Sequence, residues 1–191
     1  MIVEIAASVP EIEYFWTYIY PLPPCSPDGP WIAGGAVRRL LGERLYNEGD
    51  IDVFFASESQ RELWVQEMKK GGATILYDCP ENRSWDLNGR KVQEITIRTY
   101  KSLDDVLSSF DFTICQFGYD GTHILYPSLA MDHLRAKKLY LNKLTYAVNT
   151  VRRLVKYGKA GYEIPNKTII SILNGVTADP STINISEPSG N

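Results

Sequence analysis

The chain has 191 residues, 44% hydrophobic and 23% charged, with a net charge of -3 at pH 7, which gives it enough apolar surface for a core and too little charge excess for a disordered chain. No stretch approaches about eighteen consecutive apolar residues, and MIVEIAASVPEIEY opens with acids where a signal peptide carries its basic region, so a membrane span and a secretory leader are not expected and a cytoplasmic protein is. Three scattered cysteines without a C-x-x-C, and only two histidines, argue against a disulfide framework or a zinc site.

In chain order, residues 11 to 22 (EIEYFWTYIYPL) predict an aromatic-rich amphipathic helix, ended by the Pro-rich loop that follows. Trp31 to Ala33 predict a short strand, which Gly34 and Gly35 turn into a helix reaching about Leu41. A charged loop leads to a strand over Asp50 to Ala56. Ser57 or Ser59 then caps a helix that ends at Lys69, Lys70 and Gly71, its acids and bases ordered as the helix dipole prefers. A strand is predicted at 73 to 78, and Asn88-Gly89 between two strand-like runs predicts a tight hairpin. Ser102 with Asp105 opens a short helix. The runs 111 to 117 and 122 to 127 predict a second hairpin about Tyr119-Asp120-Gly121, and the pattern is helical from Ser128 to about Gly175, before a loose tail.

Charge is unevenly spread. From His133 to Lys159 the chain carries eight Lys and Arg and no acid, which leaves a net -11 on the remainder and makes this segment a candidate footprint for phosphate or nucleic acid. Tyr140, Tyr146 and Tyr157 interleave with these cations, positions where an aromatic ring either stacks on a base or fills a core.

Two features point to chemistry. In a strand alternate residues share a face, so Asp50 and Asp52 project together, about 6 to 7 Å apart, while Ile51 and Val53 face the other way. Paired hard carboxylates repel unless a cation sits between them, and Mg²⁺ held by one or two carboxylates plus substrate phosphates is the usual answer. Upstream, a strand, Gly34-Gly35 and a helix start offer backbone N–H groups and a positive dipole end to phosphates, with Arg38 one turn on.

These segments resemble a known family. IAGGAVRRLLGERLYNEGDIDVFF is similar to the head-domain signature of the polymerase beta nucleotidyltransferase superfamily, in the branch of poly(A) polymerases and CCA-adding tRNA nucleotidyltransferases, whose pattern is G-G-x-V-R-D-x-L-L-G followed by D-[IVL]-D. KVQEITIRTY resembles the next strand of that branch, FDFTICQFGYDG its R-R-D-F-T-I-N-A motif, YPSLAMDHLRAKKLY its D-P-x-x-G-x-x-D-L segment, and VRRLVKYGKAGYEI its neck helix. Together they run from about 31 to 164. Arg39 stands where the family has an aspartate, Ser109 and Phe110 replace two arginines ahead of Asp111, and the segment ends after the neck, without the family's body and tail.

The resemblance implies an α+β fold of the polymerase beta nucleotidyltransferase type, a mixed sheet with helices on one face, followed by a small C-terminal helical module. The expected division is a head over 1–127, a basic neck-like module over 128–176 and a tail over 177–191. It further implies transfer of a nucleotide from a nucleoside triphosphate, with Mg²⁺ or Mn²⁺, to an acceptor hydroxyl, above all an RNA 3′ end. Nucleotidylation of a protein or small molecule, and an idle nucleotide- or RNA-binding relative, are the alternatives. Gly34, Gly35, Arg38, Arg98 and Asp111 would hold the nucleotide, and Arg152, Arg153 and Lys156 the nucleic acid. For the third carboxylate, aligning on Arg98 selects Gln93. Strand alternation, with Ile95 and Ile97 turned toward the helices, selects Glu94 as the ligand beside Asp50 and Asp52 in a two-metal site, and Asp111 is its rival.

Overall fold

The computed structural model describes residues 2–6, 10–42 and 49–182. Most of the expected loop before Asp50, and the expected tail beyond 182, lie outside the described residues. Eight strands form one sheet: β1 (Ile2–Ala6), β2 (Trp31–Ala33), β3 (Ile51–Phe54), β4 (Thr74–Asp78), β5 (Asn82–Leu87), β6 (Arg90–Ile95), β7 (Gly118–Tyr119) and β8 (His123–Pro127), in the order β1-β8-β7-β2-β3-β6-β5-β4. Of these contacts β3 with β6 is parallel and the others antiparallel, so the sheet is mixed.

Among the described residues seven helices accompany it: α1 (Pro10–Ile19), α2 (Gly35–Gly42), α3 (Glu58–Lys70), α4 (Leu103–Ser109), α5 (Ser128–Arg135), α6 (Ala147–Lys159) and α7 (Asn166–Ala178). Strand alternation sorts the core. Ile32, Ile51, Val53, Val92, Trp85 and Leu87 point to one face, where they pack with Phe15 of α1, Val37 and Leu40 of α2, Trp64 and Met68 of α3, and Met131 and Leu134 of α5. On the opposite face Trp31, Ala33 and Phe54 pack with Tyr100 and with Leu103, Val106 and Leu107 of α4, and Ala56, Ile95, Phe110 and Leu125 lie at the margin. That second face is therefore covered over β2 and β7 and over Phe54 of β3, and the aspartates lie at the edge of the cover.

Local chemistry explains the boundaries. Ser57 caps α3, its hydroxyl accepting the Gln60 N–H at 3.2 Å, and Ser102 caps α4 by accepting from Asp105 at 3.3 Å. Asn88 and Gly89, at φ 55 and 80, make the two-residue turn between β5 and β6 that the Asn-Gly pair predicts. Three expectations change. β1 pairs with β8, though nothing in the opening residues sets it apart as a strand. The run 111 to 117 is not a strand: Thr113–Cys115 form a 3₁₀ turn whose buried Ile114 and Cys115 enter the core, leaving only Gly118–Tyr119 for the hairpin. Helix is interrupted after α5 at Ala136–Tyr146, and α7 runs on to Ala178.

Candidate active site

The site begins at the turn between β2 and α2. Gly34 sits at φ +83, where a side chain is strained, and a Cβ there would lie 3.3 Å from Phe110 Cζ and 3.7 Å from Asp52 Oδ2. Its N–H donates to the Phe117 carbonyl at 2.8 Å, so the backbone donors left for a ligand are those of the first turn of α2, starting at the half-buried Gly35. The turn thus lies beside the carboxylate of the neighbouring strand, because Ala33 of β2 is paired with Asp52 of β3.

Asp50 and Asp52 share the face that α4 only partly covers. Parallel pairing sets Asp52 beside Gln93 and Ile51 beside Val92, which brings Lys91 and Gln93 to the aspartates' face and turns Val92 and Glu94 to the other. Gln93 Nε2 donates to Asp50 Oδ2 at 2.6 Å, and Lys91 Nζ lies 3.3 Å from the same oxygen. The Arg39 guanidinium folds back over Gly35 and Gly49, and donates to the Asp50 carbonyl at 3.1 Å. Asp52 is pushed up to about 6, first by burial and then by the Asp50 charge beside it, against which Arg153, Arg39 and Lys156 pull it down. Two cations of α6 therefore act on this carboxylate through their charge.

Glu94 does not join the aspartates. It is fully buried on the opposite face, accepting from Trp85 Nε1 at 2.9 Å and paired with Arg61 at 3.0 Å and Arg83 at 3.5 Å. A charge can lie among the apolar residues of that face because two guanidiniums and an indole N–H neutralise it, so alternation read from polarity alone chose the wrong side. Ile95, expected to face the main helix layer, instead packs near α4. Asp111 is also engaged: 7% exposed, it accepts from the Phe112 N–H at 3.0 Å, from Thr150 Oγ1 at 3.4 Å and from Arg153 Nη1 at 2.7 Å. Among the described residues no group of three or more His, Cys, Asp or Glu is placed to hold a metal.

The remaining expected site residues are spread further. Arg38 is buried with its guanidinium 5.0 Å from the Tyr157 ring centre, and Tyr157 contacts Cys115 Sγ through its hydroxyl at 3.2 Å, so Tyr157 is a core residue and Arg38 braces α6. Burial pushes both the Cys115 thiol and the Tyr157 phenol up, which keeps them neutral. Arg98 lies at the other end of β6, pairing with Asp105 at 3.3 Å and stacking 4.2 Å from the Tyr100 ring centre, in a cleft of about 570 Å³ near the start of α3. Arg152, Arg153 and Lys156 lie on one exposed side of α6, though Arg153 is tied to Asp111. Sequence reading missed Lys91 as a site residue, and passed over Gln93 in favour of Glu94. The signal for both was their spacing, one residue either side of Val92.

No helix among the described residues is long and apolar enough to cross a membrane. The fold is that of solved tRNA nucleotidyltransferases. A CCA-adding enzyme solved with ATP aligns at 16% identity and TM-score 0.61, over 93% of this chain and 47% of that one. The Thermotoga maritima CCA-adding enzyme complexed with tRNA aligns at 16% and 0.60, over 92% and 46%, and a tRNA nucleotidyltransferase complexed with a primer tRNA and an ATP analogue at 19% and 0.57, over 78% and 46%. The chain thus spans under half the length of these enzymes and carries their nucleotidyltransferase head fold. In sequence it is 24% identical over 160 residues to Gabija anti-defense 2 of Bacillus phage SPbetaL7, covering 82% of this chain and 39% of the relative. A family profile matches residues 24–137, which hold Gly34, Asp50, Asp52 and Asp111 together, and by that match the chain belongs to the Gabija anti-defense 2 family.

Proposed function

We propose that this chain binds a nucleoside triphosphate together with Mg²⁺ or Mn²⁺ and transfers its nucleotidyl group to an acceptor hydroxyl, with an RNA 3′ end as the acceptor, in the course of countering a Gabija defence. The observation that carries the reading is the closeness of the Gly34 turn to Asp52, where even an added methyl would come within 3.7 Å of the carboxylate: a backbone turn at a helix start lies beside paired carboxylates, so phosphates and a cation would meet in one place. Asp50 and Asp52 would hold the cation, which when bound neutralises phosphate charge and favours the leaving of pyrophosphate. Arg39, Arg153 and Lys156, whose charges already act on Asp52, would draw the triphosphate in. The exposed Arg152, with Lys156 beside it, would take the acceptor's backbone without reading its sequence.

A second reading is favoured by Gln93, which replaces the acid expected beside the aspartates: a head that holds nucleotide without transferring it. Incubation with each labelled NTP, Mg²⁺ and total RNA, followed by separation of RNA, protein and small-molecule fractions, divides the readings. Label in RNA that is lost with Asp52→Ala supports the first, and label in protein or a small molecule moves the acceptor. Tight nucleotide binding with no transferred label supports the second, and no nucleotide binding sinks both.

A further inference from the structure

We infer that this site takes a single divalent cation with its nucleotide, because Lys91 and Gln93 stand where a second cation would need an acid. The inference rests on the nucleotide-binding reading above and refines it. Two cations about 3.5 to 4 Å apart share some carboxylates, but each also needs anionic ligands of its own. The place for that ligand is fixed by the sheet: the β6 residue paired with Asp52 is Gln93, which has no charge to give.

The surrounding groups make a second dication less welcome still. Asp50 Oδ2 already accepts from Gln93 at 2.6 Å and meets the Lys91 ammonium at 3.3 Å, so one positive charge is built into the position by the chain itself. Three other acids around this face, among the described residues, each have a partner of their own. Asp86, across β5 from Lys91, accepts the Gly89 N–H at 2.7 Å in the hairpin turn. Asp111 is bound to Arg153 at 2.7 Å, and Glu94 faces the opposite side with Arg61 and Arg83. Asp50 and Asp52 remain as one ligand pair for one cation. Lys91 supplies part of the charge that a second would bring.

Mn²⁺ with a non-hydrolysable ATP analogue tests this on the intact chain. Equilibrium dialysis should give one Mn²⁺ per bound nucleotide for the wild type, and its electron paramagnetic resonance spectrum should lack the exchange-coupled pattern of paired ions. In Gln93→Glu the new carboxylate can be consumed by Lys91, so Lys91→Met/Gln93→Glu is the decisive variant; it should bind two ions per nucleotide and show the coupled spectrum. Glu94→Gln should stay at one. Two coupled ions in the wild type, or one ion in the double variant with its circular dichroism and melting unchanged, would overturn the inference while leaving nucleotide binding intact. Loss of nucleotide binding in the wild type itself would overturn the reading on which it rests.

Discussion

Asp52 is the residue whose protonation has the clearest consequence. Burial and the neighbouring Asp50 raise it from an ordinary 3.8 to about 6, so the folded protein holds this proton to higher pH than the unfolded chain does. Below about pH 4 the group is protonated in both states and costs nothing. As pH rises through 6 the folded state must carry a charge it disfavours, and the loss of stability is complete above that. Asp52→Asn is expected to melt a few degrees above the cation-free wild type at pH 7.5, with the gap closing toward pH 4, as followed by thermal unfolding across that range. Equal melting curves at pH 7.5 would mean that the carboxylate is better solvated than its surroundings imply. Gly34 makes the complementary case. A methyl at φ +83, pressed against Phe110, should cost about 1 to 2 kcal/mol in a urea titration and weaken nucleotide binding, because it also approaches Asp52.

At the level of single elements, the two faces of β6 do unrelated work. Lys91 and Gln93 line the cleft while Val92 and Glu94 belong to the core, and a buried acid with two guanidiniums is costly to break from one side. Glu94→Ala should lose about 3 to 5 kcal/mol in denaturant unfolding and leave the number of bound cations unchanged. A variant that unfolds normally but loses cation binding would return Glu94 to the site. The elements themselves were largely legible in the sequence: the Asn88-Gly89 hairpin, the Ser57 and Ser102 caps and the Gly-Gly start of α2 each carry a local signal that does not depend on the rest of the chain. β1, and the facing of β6, were not. β1 is a strand through its partner β8, and β6 takes its facing from its register with β3 and from guanidiniums supplied by the distant α3 and by its own hairpin partner β5. The same limit applied to Arg38 and Arg39. Adjacent in the motif, they part company in space, one under Tyr157 and the other over the backbone of Asp50.

Across the whole molecule, α6 and α7 are joined to the sheet by the same apolar core. Leu154, Tyr157 and Ile164 pack against the cluster that includes Val37 and Phe112, Thr168 Oγ1 donates to the Leu139 carbonyl at 2.7 Å, and Arg153 reaches Asp111. Calorimetry should therefore record one unfolding transition for the described chain, and two separated transitions would mean that the basic helices fold on their own. The bridge also refines the test of RNA binding. Arg153→Glu would set two acids against each other at the junction and loosen α6, so charge reversal belongs at Lys156. There it should weaken RNA binding and flatten its dependence on salt without lowering the melting temperature. Unchanged affinity would point to an acceptor with no row of phosphates.

The Gln93 amide has a consequence in the language of codons. Glutamine and glutamate codons differ by one first-position base, so the distance between this cleft and one lined by a third acid is a single point mutation at a position already aligned by β3. A library of single-base variants, selected for transfer of labelled nucleotide, would contain that change among its commonest members. Whether selection recovers it becomes a direct reading of how much the amide restrains the chemistry.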